Sequence, residues 1–190
     1  MIDIKINKKQ GQITYDYHLN TQAKIVTIMG LSGSGKTTFL RLLSGLIKPD
    51  EGHIEVEGKI LFKDNKKINL KTRERNIGYV FQSENLFPHL NVEKNLKLGL
   101  EKKDYDKVDL WLSRLSLIDK KTAKPENLSG GEKQRIAIIR ALIHSPDILL
   151  LDEAFNSLDE ENKRTLYKEM KDLLRDFKGY TVIVTHDKKE

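Results

Sequence analysis

The chain has no cysteine. Disulfides and thiolate metal sites are therefore excluded, and the composition fits a reducing, cytosolic setting. It also lacks long hydrophobic runs. The longest are short, Ile148–Leu151 and Thr181–Val184, far below the roughly 18 apolar residues that a membrane span needs. The opening segment MIDIKINKKQ has no apolar h-region, so no secretory signal is expected. Aromatic residues make up only 7%, and none stud a basic stripe. The 34 Lys and Arg exceed the 28 Asp and Glu, for a net charge of +6. However, the cations are spread over Lys59–Arg75, Lys97–Lys107, Lys120–Lys124 and Lys163–Lys178 and interleaved with acids. That spread describes a solvated surface, and no nucleic-acid partner is expected. A basic skin also suits work beside an anionic membrane surface.

What is present suffices for a core. With 38% hydrophobic and 33% charged residues over 190 positions, one domain is expected. The order of elements reads as α/β. Ile2, Ile4 and Ile6 alternate, then Ile13, Tyr15, Tyr17 and Leu19, which predicts two half-exposed strands. KIVTIM (Lys24–Met29) is more continuously apolar and reads as a buried strand. A glycine-rich turn follows, then a helix from Thr37 with Phe39, Leu40, Leu42, Leu43 and Leu46 inward. His53–Phe62 reads as a hairpin turning near Glu57-Gly58, and Ile77–Phe81 as a strand. Residues 83–145 have a helical texture, with Val92–Leu100 and Tyr105–Leu117 periodic and a polar loop at Asp119–Asn127. Strand texture returns at Ile148–Leu151, a helix is expected at Glu160–Phe177, and Thr181–Val184 reads as the last strand. The pattern implies a core of residues 1–82 and 146–190, interrupted by a helical insertion.

Two segments carry phosphate chemistry. Gly30-Leu31-Ser32-Gly33-Ser34-Gly35-Lys36-Thr37 fits G-x-x-x-x-G-K-[ST] between a strand and a helix. Glycines let successive backbone N–H groups face phosphate oxygens, and the helix start adds partial positive charge. Lys36 supplies a full charge and Thr37 a hydroxyl ligand for Mg²⁺. Gly30, Ser32, Gly33, Ser34, Gly35, Lys36, Thr37 and Thr38 are the candidate contacts to a nucleoside triphosphate. Asp152 ends an apolar strand, where it can hold Mg²⁺ through the metal's water shell. Glu153, one residue on, is placed to polarise a water in line with the γ-phosphate. Leu128-Ser129-Gly130-Gly131-Glu132-Lys133-Gln134 opens another helix with a capping-box pattern, and that helix start is a second anion site.

LSGGEKQ, lying between a phosphate loop and LLLDE, resembles the signature motif of ATP-binding-cassette (ABC) ATPases. Gln82 after IGYVF matches that family's Q-loop glutamine. Ser157-Leu158-Asp159 matches its D-loop, and His186 its switch histidine. The resemblance spans about residues 25–187. It implies a P-loop NTPase core with a mixed sheet, an N-terminal antiparallel β subdomain and an inserted helical subdomain. It also implies ATP and Mg²⁺ as ligands, with Thr37, Gln82 and Asp152 at the metal and Glu153, His186 and Gln82 catalytic. A second copy is expected to pack head to tail, so that Ser129, Gly130, Gly131 and Gln134 of one subunit close on ATP held by the other while Asp159 bridges them. Gln82 and Phe87–Leu90 would meet an integral membrane permease, placing the protein on the cytoplasmic face of the membrane. Histidines 18, 53, 89 and 144 match no motif.

Some positions depart from the family pattern. The aromatic that stacks on adenine, usually just before the glycine at Gly11, is Gln10, while Tyr15 and Tyr17 are expected to pack in the sheet. Ala154 replaces the usual proline. The chain ends four residues after His186, where many relatives continue. The short spacing from Lys36 to Asp152 leaves no room for the coiled coils of repair ATPases. No Asn/Thr-Lys-x-Asp base reader of a GTPase is present, and a P-loop kinase would have no use for LSGGE. Gly52–Gly99 resembles importers of oxyanions, molybdate above all. Thiamine importers, and regulatory ATPases of the cell-division or lipoprotein-release type, remain as alternatives.

Overall fold

The computed structural model describes residues 1–82, 86–155 and 160–186, with side chains omitted at 160–162. Its strands fall into two sheets. Strands β1 (Ile2–Gln10), β2 (Ile13–Thr21), β4 (Glu51–Val56), β5 (Lys59–Lys63) and β6 (Ile68–Asn69) form an antiparallel sheet in the order β2-β1-β4-β5-β6. Strands β3 (Ile25–Met29), β7 (Ile77–Val80), β8 (Ile148–Asp152) and β9 (Tyr180–Thr185) form a parallel sheet ordered β3-β9-β8-β7. Parallel and antiparallel pairing thus both occur in this α/β fold, divided between the sheets. The hairpin turn is where the sequence predicts it: Glu57 (φ 50°) and Gly58 (φ 77°) both adopt positive φ, as a tight primed turn requires.

Alternation along β8 and β9 sorts the core into two halves. Ile148, Leu150, Val182 and Val184 face α1 (Lys36–Ser44) and the antiparallel sheet. Leu149, Leu151 and Ile183 face the other way, onto α4 (Gly130–Leu142) and α5 (Glu160–Asp176). Two shorter helices, α2 (Val92–Lys97) and α3 (Lys107–Arg114), join that second half through Val92, Leu96, Val108 and Leu112. The apolar stripe read along α5 is realised by Leu166, Met170 and Leu173, all buried, with Leu174 and Phe177 packed at its margin.

Two expectations fail. β3 is not buried. Among the described strands it lies at the sheet edge, paired only with β9, and Ile25 and Met29 are 50% and 48% exposed. Apolar continuity reports a buried strand only when both faces are covered, and no described element covers the outer side of β3. Leu46 is likewise 51% exposed, because the helix stops before it. Gly45 takes the left-handed conformation (φ 79°) and its N–H bonds to Leu42 O.

Gly45 also makes room. A Cβ there would lie 2.6 Å from Nε of Arg75, a buried guanidinium that donates to Leu42 O (2.9 Å) and Leu43 O (2.7 Å) at the end of α1. Arg75 therefore caps the helix that carries Lys36, against the negative end of its dipole. Gly45→Ala should destabilise the fold by about 2–4 kcal/mol, from left-handed strain plus overlap with a locked side chain. Denaturant unfolding checks this, and an unchanged midpoint at unchanged slope would show that Arg75 can move aside at little cost.

Candidate functional site

The phosphate loop runs from the C-terminal end of β3 into α1, with Gly33 (φ 80°) and Gly35 (φ 92°) in positive φ. Gly35 is the N-cap residue of α1. It supplies no side-chain acceptor, and no acidic residue occupies the first turn. The first N–H groups are therefore left to an external anion, as helix-end phosphate sites require. Lys36, only 6% exposed, donates to Gly30 O (2.8 Å) and Leu31 O (2.9 Å) of its own loop. A buried cation whose partners among the described residues are neutral carbonyls is suited to exchange them for phosphate oxygens.

Asp152, at the end of β8, sits beneath the loop. Its Oδ1 accepts from the Thr37 hydroxyl and its Oδ2 from the Tyr79 hydroxyl, each at 2.9 Å. Burial, then the neighbouring Asp152 charge, pushes the Tyr79 phenol far above its usual range. Tyr79 therefore stays protonated and donates. A hydroxyl and one carboxylate form a hard, oxygen-only donor set, which suits a Mg²⁺ that keeps water and phosphate ligands. No cluster of three or more His, Asp or Glu able to hold a metal occurs among the described residues.

Glu153 follows with a left-handed backbone (φ 49°), its N–H bonded to Val184 O at 2.9 Å. For a non-glycine residue this conformation is costly and is found at functional sites. It sets the side chain between two others the sequence singles out. Gln82 Nε2 donates to Glu153 Oε2 (3.2 Å), and His186 Nδ1 lies 3.9 Å from Glu153 Oε1. Glu153, His186, Gly30 and Ser32 line one cavity of about 640 Å³ with Met29 and Leu31. Ser34 hydrogen-bonds back to Leu31 O through its N–H, and Thr38 is half-buried in the first turn of α1.

The second helix start lies elsewhere on the chain. Ser129 Oγ accepts from Glu132 N–H (3.3 Å) while Ser129 N–H donates to Glu132 Oε2 (2.8 Å), the expected capping box. Ser129 and Gly130 are exposed and Gly131 is buried. No hydrogen bond among the described residues joins them to the phosphate loop. Gln134 does not share their exposure: it is fully buried, and neither amide atom has a hydrogen-bond partner among the described residues. Asp159 and the rest of the D-loop motif lie outside the described residues.

Several contributors are absent from the motif reading. Tyr17 donates to Gly35 O (2.8 Å), and the Tyr15 and Tyr17 rings stack 6.0 Å apart so close to Gly35 that a Cβ there would overlap both. The two tyrosines do sit in the sheet, yet they brace the loop. Tyr79 joins Asp152 across 73 positions, so no local pattern marks it. Fully buried Asn95 accepts from Phe87 N–H and donates to Phe87 O, Leu90 O and Asn91 O. It shapes the loop where Phe87 stays 44% exposed. No helix among the described residues is long and apolar enough to cross a membrane.

A family model described as ABC transporter matches residues 9–156. The chain belongs to the ABC transporter family. The molybdenum import ATP-binding protein ModC of Pasteurella multocida is 41% identical over 191 residues, covering 100% of this chain and 54% of that protein. ModC of Shewanella sp. (strain MR-7) is 42% identical over 189 residues, covering 98% and 52%. The chain thus spans about half the length of these curated relatives. Among solved structures, CbiO1 from Clostridium perfringens, part of the ABC transporter complex CbiONQ, superposes with a TM-score of 0.82 at 28% identity. That match covers 98% of this chain and 78% of CbiO1. The ATP-binding cassette MJ0796, in a dimeric post-hydrolysis state bound to ADP and Pi, gives a TM-score of 0.77 at 32% identity. It covers 98% of this chain and 88% of MJ0796. The α/β cassette fold expected from the motifs is therefore shown.

Proposed function

We propose that the chain is a single cassette domain, residues 83–145 being its helical subdomain, that hydrolyses ATP to drive a membrane importer of molybdate or a similar oxyanion. One observation carries the ATPase reading. Lys36, the Thr37–Asp152 pair and the Glu153–Gln82–His186 group converge at the C-terminal end of one parallel sheet. The two ModC relatives support the substrate, since molybdenum import is in their name.

In this reading Lys36 leaves the Gly30 and Leu31 carbonyls to pair with the β- and γ-phosphates. Thr37, Asp152 and Gln82 would hold Mg²⁺, which would supply positive charge to offset that of the phosphates. Glu153 takes the proton of the attacking water, and Gln82 and His186 keep that carboxylate aimed. Ser129, Gly130 and Gly131 of a second copy complete the anion cradle, with Asp159 at the subunit boundary.

The Phe87–Leu90 loop presents the permease contact on the cytoplasmic side of the membrane, by burying apolar anchors. Phe87→Asp or Leu90→Asp should abolish co-purification with the permease encoded for this importer while ATP affinity stays within twofold. Retention of the permease by both variants would place docking elsewhere. With Gln10 in place of the usual stacking aromatic, base selectivity should be weak. Competition titration should give an ATP preference over GTP below a hundredfold, and a larger ratio would mean that another residue reads the base.

A further inference from the structure

A second cavity, about 880 Å³, lies away from the phosphate site. It opens where β8 and β9 begin, at Ile148 and Tyr180, whereas Asp152 ends β8 and His186 follows β9 at the opposite edge. Four residue steps of about 3.3 Å separate the two levels by roughly 13 Å. Its walls come from β4, β5, α3, the end of α4 and the end of α5. The volume lies within the range of small-molecule sites, roughly 300–1,000 Å³.

The lining divides by chemistry. Val56, Leu61, Trp111, Leu142, Leu173 and Phe177 supply an apolar body. Five cations, Lys24, Lys59, Arg75, Arg114 and Lys178, line it against three acids, Glu57, Asp147 and Asp176. Two of those acids are already engaged: Asp176 by Arg114, and Glu57 by the Met1 ammonium and Lys24. Arg75 is the unusual member. It is 1% exposed, and its bonds run to the carbonyls of Leu42, Leu43 and Leu70 and to Asn69 Oδ1, all neutral. No carboxylate pairs with it among the described residues. Burial lowers its pKa to about 10, so it still carries its charge at neutral pH. A guanidinium has five N–H donors, and these four bonds leave one directed at no acceptor among the described residues. Arg75 offsets the negative end of α1 but has no carboxylate partner among the described residues, and a buried guanidinium of that kind, beside an apolar cavity with exposed lysines at its rim, is complementary to an anion with an apolar body.

We propose that this cavity binds a small amphipathic organic anion, its apolar body against Trp111, Leu142 and Phe177 and its anionic group toward Arg75, Lys59 and Lys178. The site is separate from the nucleotide cavity and is occupied independently of ATP.

Trp111 is the protein's single tryptophan and lines the cavity, so it reports directly. The probe is 8-anilinonaphthalene-1-sulfonate, with uncharged N-phenyl-1-naphthylamine, which has the same rings without the sulfonate, as comparison. Titration of the full chain should quench Trp111 saturably at one sulfonate per chain, at least tenfold tighter than the neutral amine. Lys59→Glu and Lys178→Glu, both at exposed positions, should together weaken the sulfonate at least tenfold and leave the amine unchanged. Saturating Mg²⁺-ATP should not displace it. Unsaturable quenching, equal affinity of the two probes, indifference to the charge reversals or displacement by ATP would each overturn the proposal.

Discussion

Glu153→Gln should lower ATP hydrolysis by roughly 10²–10⁴, the usual worth of a general base. The substitution keeps size and hydrogen bonding but removes the basic carboxylate. The geometry makes this a sharp expectation. Glu153 is held in a strained left-handed conformation by the bond from its N–H to Val184 O, between Gln82 and His186. Gln is as able as Glu to keep that backbone, so the folded variant should retain ATP affinity while turnover falls. A steady-state phosphate-release assay at saturating ATP checks it. Turnover at the wild-type rate would remove Glu153 from catalysis.

Lys36→Ala should weaken ATP binding at least tenfold, about 1.4 kcal/mol or more. Lys36 is the one side-chain cation seated on the phosphate loop among the described residues, and its present partners are neutral carbonyls that cost little to leave. The fold should tolerate the change, because removing the charge also removes a desolvation penalty. Equilibrium titration with a fluorescent ATP analogue measures the ratio. Unchanged affinity in a folded variant would mean that the backbone cradle alone holds the nucleotide.

The site was legible in the sequence where chemistry is local. The phosphate loop, the Asp152-Glu153 pair and the Ser129 capping box are each contiguous, and their spacing carries their geometry. The hairpin at Glu57-Gly58 was readable for the same reason. What escaped notice depends on contacts distant in sequence. Tyr79 meets Asp152, Tyr17 meets Gly35, and Arg75 reaches the end of α1, across 73, 18 and 33 positions. Burial at β3 is not legible, since five residues rich in apolar side chains read alike whether a strand is central or at an edge. The exposure of Leu46 is not legible either, because periodicity does not say where a helix stops; the left-handed Gly45 does.

In the proposed function, the ATP site is completed by the signature segment of a second copy. Size-exclusion chromatography in saturating Mg²⁺-ATP tests it most directly, using Glu153→Gln so that bound nucleotide persists. The Glu153→Gln chain should elute as a dimer with ATP and as a monomer without it. Adding Ser129→Arg, which fills the space at the exposed start of α4, should return it to monomer with ATP still bound. A Glu153→Gln chain that stays monomeric in ATP, or a double variant that dimerises equally well, would contradict the shared site.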